Sequence, residues 1–228
     1  MASWMVHLRI ADRLLDQIPG LVQTEFIVGN IAPDSGVPNA DWSSFMPSTK
    51  ISHFKTETTK AGPQAFAAKY FTPRQQAGYS GREYSFYLGY LCHLLTDVLW
   101  SEQIALPSFR RYLGGEPPYR GPQADKIKED WYDLDHRFLR DHPGFRAFQI
   151  YLEADGFVNG FMEEFSPDAF DDRRRYITAF YLQGNDRIDR EYPYLSEAEM
   201  DSFVEEASHA IMEQLPAYTL RPFSQHGR

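Results

Sequence analysis

The chain has 228 residues, of which 43% are hydrophobic and 24% are charged, which excludes a disordered tail and a membrane bundle. Its net charge of −9 at pH 7 disfavours binding to duplex nucleic acid or to an anionic membrane surface. No uncharged apolar run approaches the roughly 18 residues of a membrane span, so we expect no membrane insertion. The single cysteine, Cys92, excludes an intramolecular disulfide and a thiolate-rich zinc site.

Helical periodicity dominates the sequence, and alternating strand patterns are scarce. Helices are predicted, in chain order, over residues 3–17, 63–71, 80–105, 123–141, 145–152, 157–165, 166–183 and 197–215. Residues 21–28 form a short apolar piece that ends at Gly29, and loops are predicted over 30–50 and 114–122. The pairs Ser80/Glu83 and Ser196/Glu199 have the spacing of capping boxes, and Pro107 is predicted to end the central helix. Because no Gly/Ser-rich linker divides the chain, the sequence predicts one all-α domain over residues 1–228, built around a long central helix.

The central helix contains the first candidate functional residues. It is apolar almost all round, which indicates burial on most sides. His93 and Asp97 are four residues apart and therefore lie on one face of it. A buried imidazole and carboxylate are costly unless they are satisfied, so they are either a structural pair or ligands of one metal ion such as zinc. Gly89, one turn earlier, would allow another segment to approach closely.

Three more candidates lie in apolar or tightly turned contexts, and each has an ordinary explanation as well. His7 lies on the apolar stripe of the first helix, where a core histidine is the simple interpretation. Asp34 ends a Pro-Asp turn, which it could cap, and His53 could be a half-buried surface histidine. The remaining histidines stand in polar contexts: His136, His142, His209 and His226. This division is typical of a site whose nitrogen and oxygen ligands come from separate helices.

Four motifs in order resemble the bacterial zinc-dependent phospholipase C family, which shares an all-α fold with single-strand-specific zinc nucleases. They are Trp-x2-His-x3-Ala at 4–11, Gly-Asn-Ile-Ala-Pro-Asp at 29–34, Lys-x2-His-Phe at 50–54 and Gly-Tyr-Leu-x-His-Leu-Leu-x-Asp-x-x-Trp at 89–100. The resemblance covers roughly residues 3–105. It implies that Asp34, His53, His93 and Asp97 hold one metal. It also implies that Asp97 bridges to a second metal held by His7.

The chain departs from that family in two respects. Secreted members use an N-terminal tryptophan as a ligand, whereas Trp4 is internal, so we expect this ligand to be missing. We also expect the family's later cluster, which ends in His-x3-Glu, to be missing, and with it any His-x3-Glu spacing. Asp135 flanks the apolar face of Trp131 and Phe138 and is the candidate extra ligand or general base, the alternative being a solvated helix face. One or two zinc ions are therefore expected, three at most, with another divalent metal as the alternative.

The sequence thus predicts a metal-dependent phosphoric ester hydrolase. It would cleave a small phosphodiester or phosphomonoester with a metal-activated water, and Asp34, Asp97 and Asp135 are the candidate catalytic residues. The lack of a secretory signal favours the cytoplasm, where an indiscriminate phospholipase would be harmful. The alternatives are an HD-type nucleotide phosphohydrolase, although no His-Asp dipeptide occurs, and a metal-binding α-domain without catalysis. The run Arg173-Arg174-Arg175 is predicted to be a solvated helix face rather than a phosphate grip.

Overall fold

The computed structural model describes residues 1–41, 43–56, 61–115 and 121–220, and within them it confirms the all-α prediction. The helices are α1 (Trp4–Gln17), α2 (Gln23–Ile31), α3 (Thr49–Ser52), α4 (Pro63–Tyr70), α5 (Pro73–Gly78), α6 (Gly81–Trp100), α7 (Leu106–Leu113), α8 (Pro122–Asp141), α9 (Arg146–Glu153), α10 (Ala169–Leu182) and α11 (Glu197–Gln214). Strands β1 (Val37–Pro38) and β2 (Phe45–Met46) form a small antiparallel hairpin in the segment predicted to be a loop.

Helix α6 lies at the centre of the core, as predicted. From Tyr84 to Trp100 nearly every side chain is buried, and α2 packs along it more extensively than any other pair of helices in contact. The hydroxyl of Ser80 accepts a hydrogen bond from the Glu83 amide, and the Glu83 carboxylate accepts one from the Ser80 amide. This confirms the predicted capping box, and the Ser196/Glu199 box of α11 is confirmed in the same way.

The prediction that Pro107 ends the central helical segment is wrong. A π-helical turn over Ser101–Ala105 follows α6, and α7 begins directly after it at Leu106. Pro107 lies in the first turn of α7, directly after the π-helical turn, where the ladder of α-helical hydrogen bonds is already interrupted, so the missing N–H does not end the helix. The chain therefore stays helical to Leu113. Most of the loop predicted after it, residues 116–120, lies outside the described residues.

Gly29 does not end the short apolar piece, because α2 continues through it to Ile31. A Cβ atom at Gly29 would stand 2.2 Å from the carbonyl oxygen of Phe86, so this glycine permits close packing of α2 on α6. The close approach expected at Gly89 is confirmed on the opposite side of the same crossing. Glycine here serves helix packing rather than helix termination.

The predicted helix over residues 157–165 does not form. The side chain of Asn159 accepts hydrogen bonds from the amides of Phe161 and Met162 and donates to the carbonyls of Met162 and Phe165. These bonds satisfy the backbone in a compact turn and remove the need for a helix there. The next helix, α10, accordingly begins at Ala169, later than the predicted start at Ser166.

Helix α5 was not predicted, and it begins with its own capping box of Thr72 and Gln75. Among the described residues, no helix is both long enough and apolar enough to span a membrane.

Candidate metal centre

Five predicted ligand side chains converge at the end of the α2–α6 packing. His7 comes from α1, and His93 and Asp97 come from α6. Asp34 ends a 3-10 turn that follows α2, and His53 directly follows α3. The three imidazoles are fully buried, Asp97 is 2% exposed, and the Asp34 side chain is 9% exposed. Segments far apart in the sequence thus deliver one compact set of nitrogen and oxygen atoms.

Asp97 lies in the middle of this set. Its Oδ2 is 3.5 Å from Nε2 of His53 and 3.7 Å from Nε2 of His93, and its Oδ1 is 3.5 Å from Nε2 of His7. The Nε2 of His53 is 3.3 Å from Asp34 Oδ1 and 3.3 Å from His93 Nε2. The two oxygens of Asp97 therefore face different histidines.

These separations fit a zinc site. Ligand atoms about 2.1 Å from a tetrahedral zinc stand about 3.4 Å from each other, which matches the observed distances. Two groups of residues have ligand atoms that all lie within 4.8 Å of one another. The first is His7, His93 and Asp97, and the second is Asp34, His53 and His93.

Unpartnered polar atoms at the same place fit a bound cation. Both ring nitrogens of His7 and the Oδ2 atom of Asp97 are buried and have no hydrogen-bond partner. A buried polar atom without a partner costs about 1–3 kcal/mol, so a metal ion would remove a penalty that the protein alone leaves. The donor set therefore fits zinc by its chemistry as well as by its spacing.

Neighbouring groups orient the ligands. Nδ1 of His93 lies 2.8 Å from the carbonyl oxygen of Asn30, to which it donates, so Nε2 carries the lone pair that faces the cluster. Nδ1 of His53 lies 2.9 Å from the Ser52 hydroxyl, which orients that ring in the same manner. The amide of Ala2 donates to Asp97 Oδ1 at 2.9 Å, and Trp4 lines the neighbouring cleft.

The protonation states suit metal binding, which requires neutral imidazole and ionised carboxylate. Burial, aided by the nearby charge of His7, lowers the pKa of His93 to about 3. Burial alone would raise the pKa of Asp34, but the hydrogen bond from His53 and the charge of His93 bring it below its ordinary value. Burial likewise opposes ionisation of Asp97, yet the N-terminal amino group, His7 and His93 hold its pKa well below the usual range.

Asp135 lies apart from both groups of candidate ligands. Its Oδ1 accepts a hydrogen bond from the Ser3 hydroxyl at 2.9 Å, and its Oδ2 accepts one from Tyr181 at 2.8 Å. It is fully buried, so the alternative of a solvated helix face is wrong, and burial raises its pKa to about 7. His136, expected in a polar context, is also buried, with its ring against Phe180.

The expected absence of a His-x3-Glu spacing is wrong, because His53/Glu57 and His209/Glu213 both have it. Glu57 lies outside the described residues. His209 and Glu213 are exposed on α11 and belong to neither candidate group. His142 is exposed as expected, and His226 lies outside the described residues.

A cleft of about 320 Å³ opens beside Asp34. Aromatic side chains form much of its wall, namely Trp4, Phe45, Phe109, Trp131 and Tyr132. Two cationic side chains, Lys128 and Arg173, also line it. The prediction of a solvated arginine face is wrong for two of its three members, because Arg173 and Arg174 are both buried. Arg173 stands four residues before Ile177, on the buried face of α10, and that spacing is the signal that could have revealed it.

The comparison with known families agrees with this geometry. The sequence model of zinc-dependent phospholipase C matches residues 6–100, which confirms the resemblance seen in the motifs. The matched segment contains all five converging side chains. No curated protein and no solved structure matches the chain. Together, the family match and the two His/Asp groups support a zinc-dependent phosphoesterase in general terms.

Proposed function

We propose that this protein hydrolyses a small phosphate ester, a phosphodiester or a phosphomonoester, at a zinc centre of one or two ions. The proposed ligands are His7, Asp34, His53, His93 and Asp97. The observation that carries the proposal is the convergence of three imidazoles and two carboxylates around buried atoms that lack partners. A purely structural cluster would be expected to satisfy its own hydrogen bonds.

The two oxygens of Asp97 suggest how the ligands divide. Oδ2 faces His53 and His93, which together with Asp34 would hold one ion. Oδ1 faces His7 on the other side, where a second ion would lie. Asp97 would then bridge two ions, and its charge would offset part of theirs.

Zinc in such a site acidifies water and stabilises negative charge on phosphoryl oxygens. The protein's own part in the reaction falls to Asp34. Its carboxylate is ionised and lies at the boundary between the cluster and the cleft. It is therefore placed to take the proton from the attacking water, as a general base does. Asp135 is bonded to Ser3 and Tyr181, and we propose that it holds the N-terminal segment rather than reaching the substrate.

The cleft supports a small organic phosphate as the substrate. Its volume of about 320 Å³ is at the lower end for small-molecule sites and is far too small for a nucleic-acid duplex. The aromatic wall can contact the organic part of the ester while the phosphate lies at Asp34. Since the chain carries a net charge of −9, local cations must supply the attraction for an anionic substrate.

A metal-binding domain without catalysis is the second candidate. It is favoured by the fact that the matched segment ends at residue 100 and that, among the described residues, neither ligand group includes a side chain beyond Asp97. Both candidate functions predict that the protein binds zinc, and they differ in whether it hydrolyses a substrate.

The decisive experiment is metal analysis of the purified protein, followed by assays with bis(p-nitrophenyl) phosphate and p-nitrophenyl phosphate. We expect zinc at one or two ions per chain and hydrolysis that chelation removes and zinc restores. His93→Ala should abolish both zinc binding and hydrolysis, whereas His142→Ala, which removes an exposed histidine, should change neither. Zinc without turnover would favour the non-catalytic domain, and a zinc-free protein after zinc exposure would contradict both candidates.

A further inference from the structure

Arg173 is a buried arginine that lines the cleft and uses few of its hydrogen-bond donors. It is 6% exposed and lines the cleft together with Asp34. Its Nη2 donates a hydrogen bond of 2.6 Å to the carbonyl oxygen of Gly36. Its guanidinium also lies 5.5 Å from the ring centroid of Tyr176, on the exposed side of α10. A guanidinium has five N–H donors, so most of its bonding capacity is not used by these contacts.

The neighbouring arginines are neutralised, whereas Arg173 is not. Arg174 pairs with Asp171 and Asp155, and Arg175 pairs with Asp171 and Asp172. Across the described part of the chain, no carboxylate lies within ion-pair distance of Arg173. A buried charge without a counter-ion is strongly unfavourable. An anion that entered the cleft would supply the counter-charge that Arg173 lacks.

The position of Arg173 relates that anion to the candidate metal centre. The carbonyl that holds its guanidinium belongs to Gly36, which lies two residues after Asp34, between the 3-10 turn and β1. An anion bound by Arg173 inside the cleft would consequently lie beside Asp34. Lys128, the other cation of the cleft, already pairs with Asp125 at 3.1 Å and is a weaker candidate.

We propose that Arg173 binds a non-bridging phosphoryl oxygen of the substrate and orients the phosphate beside Asp34. The inference rests on the proposed function and adds a substrate-binding residue from outside the segment that matches the family. A planar guanidinium can donate two parallel hydrogen bonds to one phosphate, which fixes its orientation as well as its position. The bond to Gly36 leaves donors of Arg173 available for this purpose.

The test is titration of the zinc-loaded protein with inorganic phosphate in a calorimeter, with zinc content and melting temperature measured for every variant. Arg173→Met should weaken phosphate binding by about 10- to 100-fold, the usual worth of hydrogen bonds to a charged group. Arg173→Lys, which keeps a cation, should give an intermediate loss. Arg175→Met removes an exposed neighbour and should leave phosphate affinity unchanged.

All variants should retain the zinc content of the wild type. Wild-type affinity for phosphate in both Arg173 variants, or a zinc-loaded wild type that binds no phosphate, would overturn the role of Arg173 alone. Parallel loss of zinc and phosphate in Arg173→Lys would also overturn it, because Arg173 would then only shape the turn that holds Asp34. A wild-type protein that binds no zinc would contradict the proposed function itself, and the zinc measurement separates this outcome from the others.

Discussion

Gly89 of α6 lies so close to α2 that a Cβ atom on it would stand 2.2 Å from the carbonyl oxygen of Phe26. The Asn30 side chain donates to the Gly89 carbonyl at this crossing, and the Asn30 carbonyl in turn accepts from the ring of His93. The close contact of the two backbones therefore sets the orientation of a candidate metal ligand. The packing of α2 on α6 and the orientation of His93 therefore both depend on Gly89.

Gly89→Ala should consequently destabilise the fold. The methyl group meets backbone atoms of α2, which cannot rotate away, so α2 and α6 must separate. Overpacking of this kind costs about 1–3 kcal/mol and occasionally more. The free energy of unfolding in urea measures the loss. Gly78→Ala is the matched control, because a Cβ atom there has nothing within 4 Å, and it should leave stability nearly unchanged. Equal stability of the two variants would show that the crossing can relax.

Much of the candidate site could be predicted from the sequence because some of its candidate ligands stand only a few residues apart. His93 and Asp97 share a helical face, and burial of that helix follows from its apolar composition. The helix starts at Ser80 and Ser196 were predictable for the same local reason, since a capping box closes within three residues.

The features that the sequence did not reveal depend on contacts between distant segments. The burial of Asp135 comes from Ser3 and Tyr181, which are 132 and 46 residues away along the chain. The distance from Arg173 to Gly36 is 137 residues. No local pattern encodes such partners, so the sequence predicts a solvated face for the arginine run and leaves a solvated face open for Asp135.

Ser52 provides a test of ligand orientation. If His53 binds zinc through Nε2, its Nδ1 carries a proton and donates to the Ser52 hydroxyl at 2.9 Å. Ser52→Ala removes that acceptor, and we expect zinc affinity to fall by about 10- to 100-fold with little loss of fold stability. Competition with a fluorescent chelator measures the affinity. Ser208→Ala, which removes a buried hydroxyl bonded to Val204 in α11, should keep wild-type affinity. If both variants bind zinc equally well, Ser52 does not orient His53.

Removal of zinc should loosen the segments that the centre joins. The proposed ligands come from α1, the turn at Asp34, the end of α3 and α6, so the ion would link segments that are far apart in the sequence. Binding free energy adds to folding free energy when the unfolded chain has no preformed site. Thermal melts with chelator should therefore show a lower midpoint, and zinc should restore it. An unchanged midpoint with confirmed metal loss would contradict a structural contribution.

Among the proposed ligands, Asp97 should be the one whose substitution most reduces zinc binding and hydrolysis. Asp97→Asn keeps the size and one oxygen of the side chain but removes the negative charge that faces His7, His53 and His93. We expect zinc at the His7 side to be lost first and hydrolysis to fall to background, whereas His7→Ala should retain the other ion. Zinc stoichiometry and turnover of both variants test this. The control is Glu25→Gln, which changes a buried carboxylate of α2 that pairs with Arg82 of α6, and it should keep full zinc content. Full zinc and full turnover in Asp97→Asn would exclude a bridging role.

Asp135 should make stability depend on pH. Burial raises its pKa from 3.8 to about 7. Between about pH 4 and about pH 7, therefore, Asp135 is protonated in the folded protein and ionised in the unfolded chain. Since the folded state holds more protons in that window, the stability due to this group is fully present below about pH 4 and declines as pH rises to about 7. The decline should amount to roughly 2–4 kcal/mol.

Asp135→Asn isolates this contribution, because the amide fills the same space between Ser3 and Tyr181 and does not titrate in this range. Urea unfolding of both proteins at pH 5 and pH 8 gives the comparison. We expect the wild type to lose more stability than the variant over this interval, so that the Asn protein is favoured relative to the wild type at pH 8. A constant difference between the two proteins at both pH values would show that Asp135 keeps an ordinary pKa, and that the hydrogen bonds from Ser3 and Tyr181 offset the effect of burial.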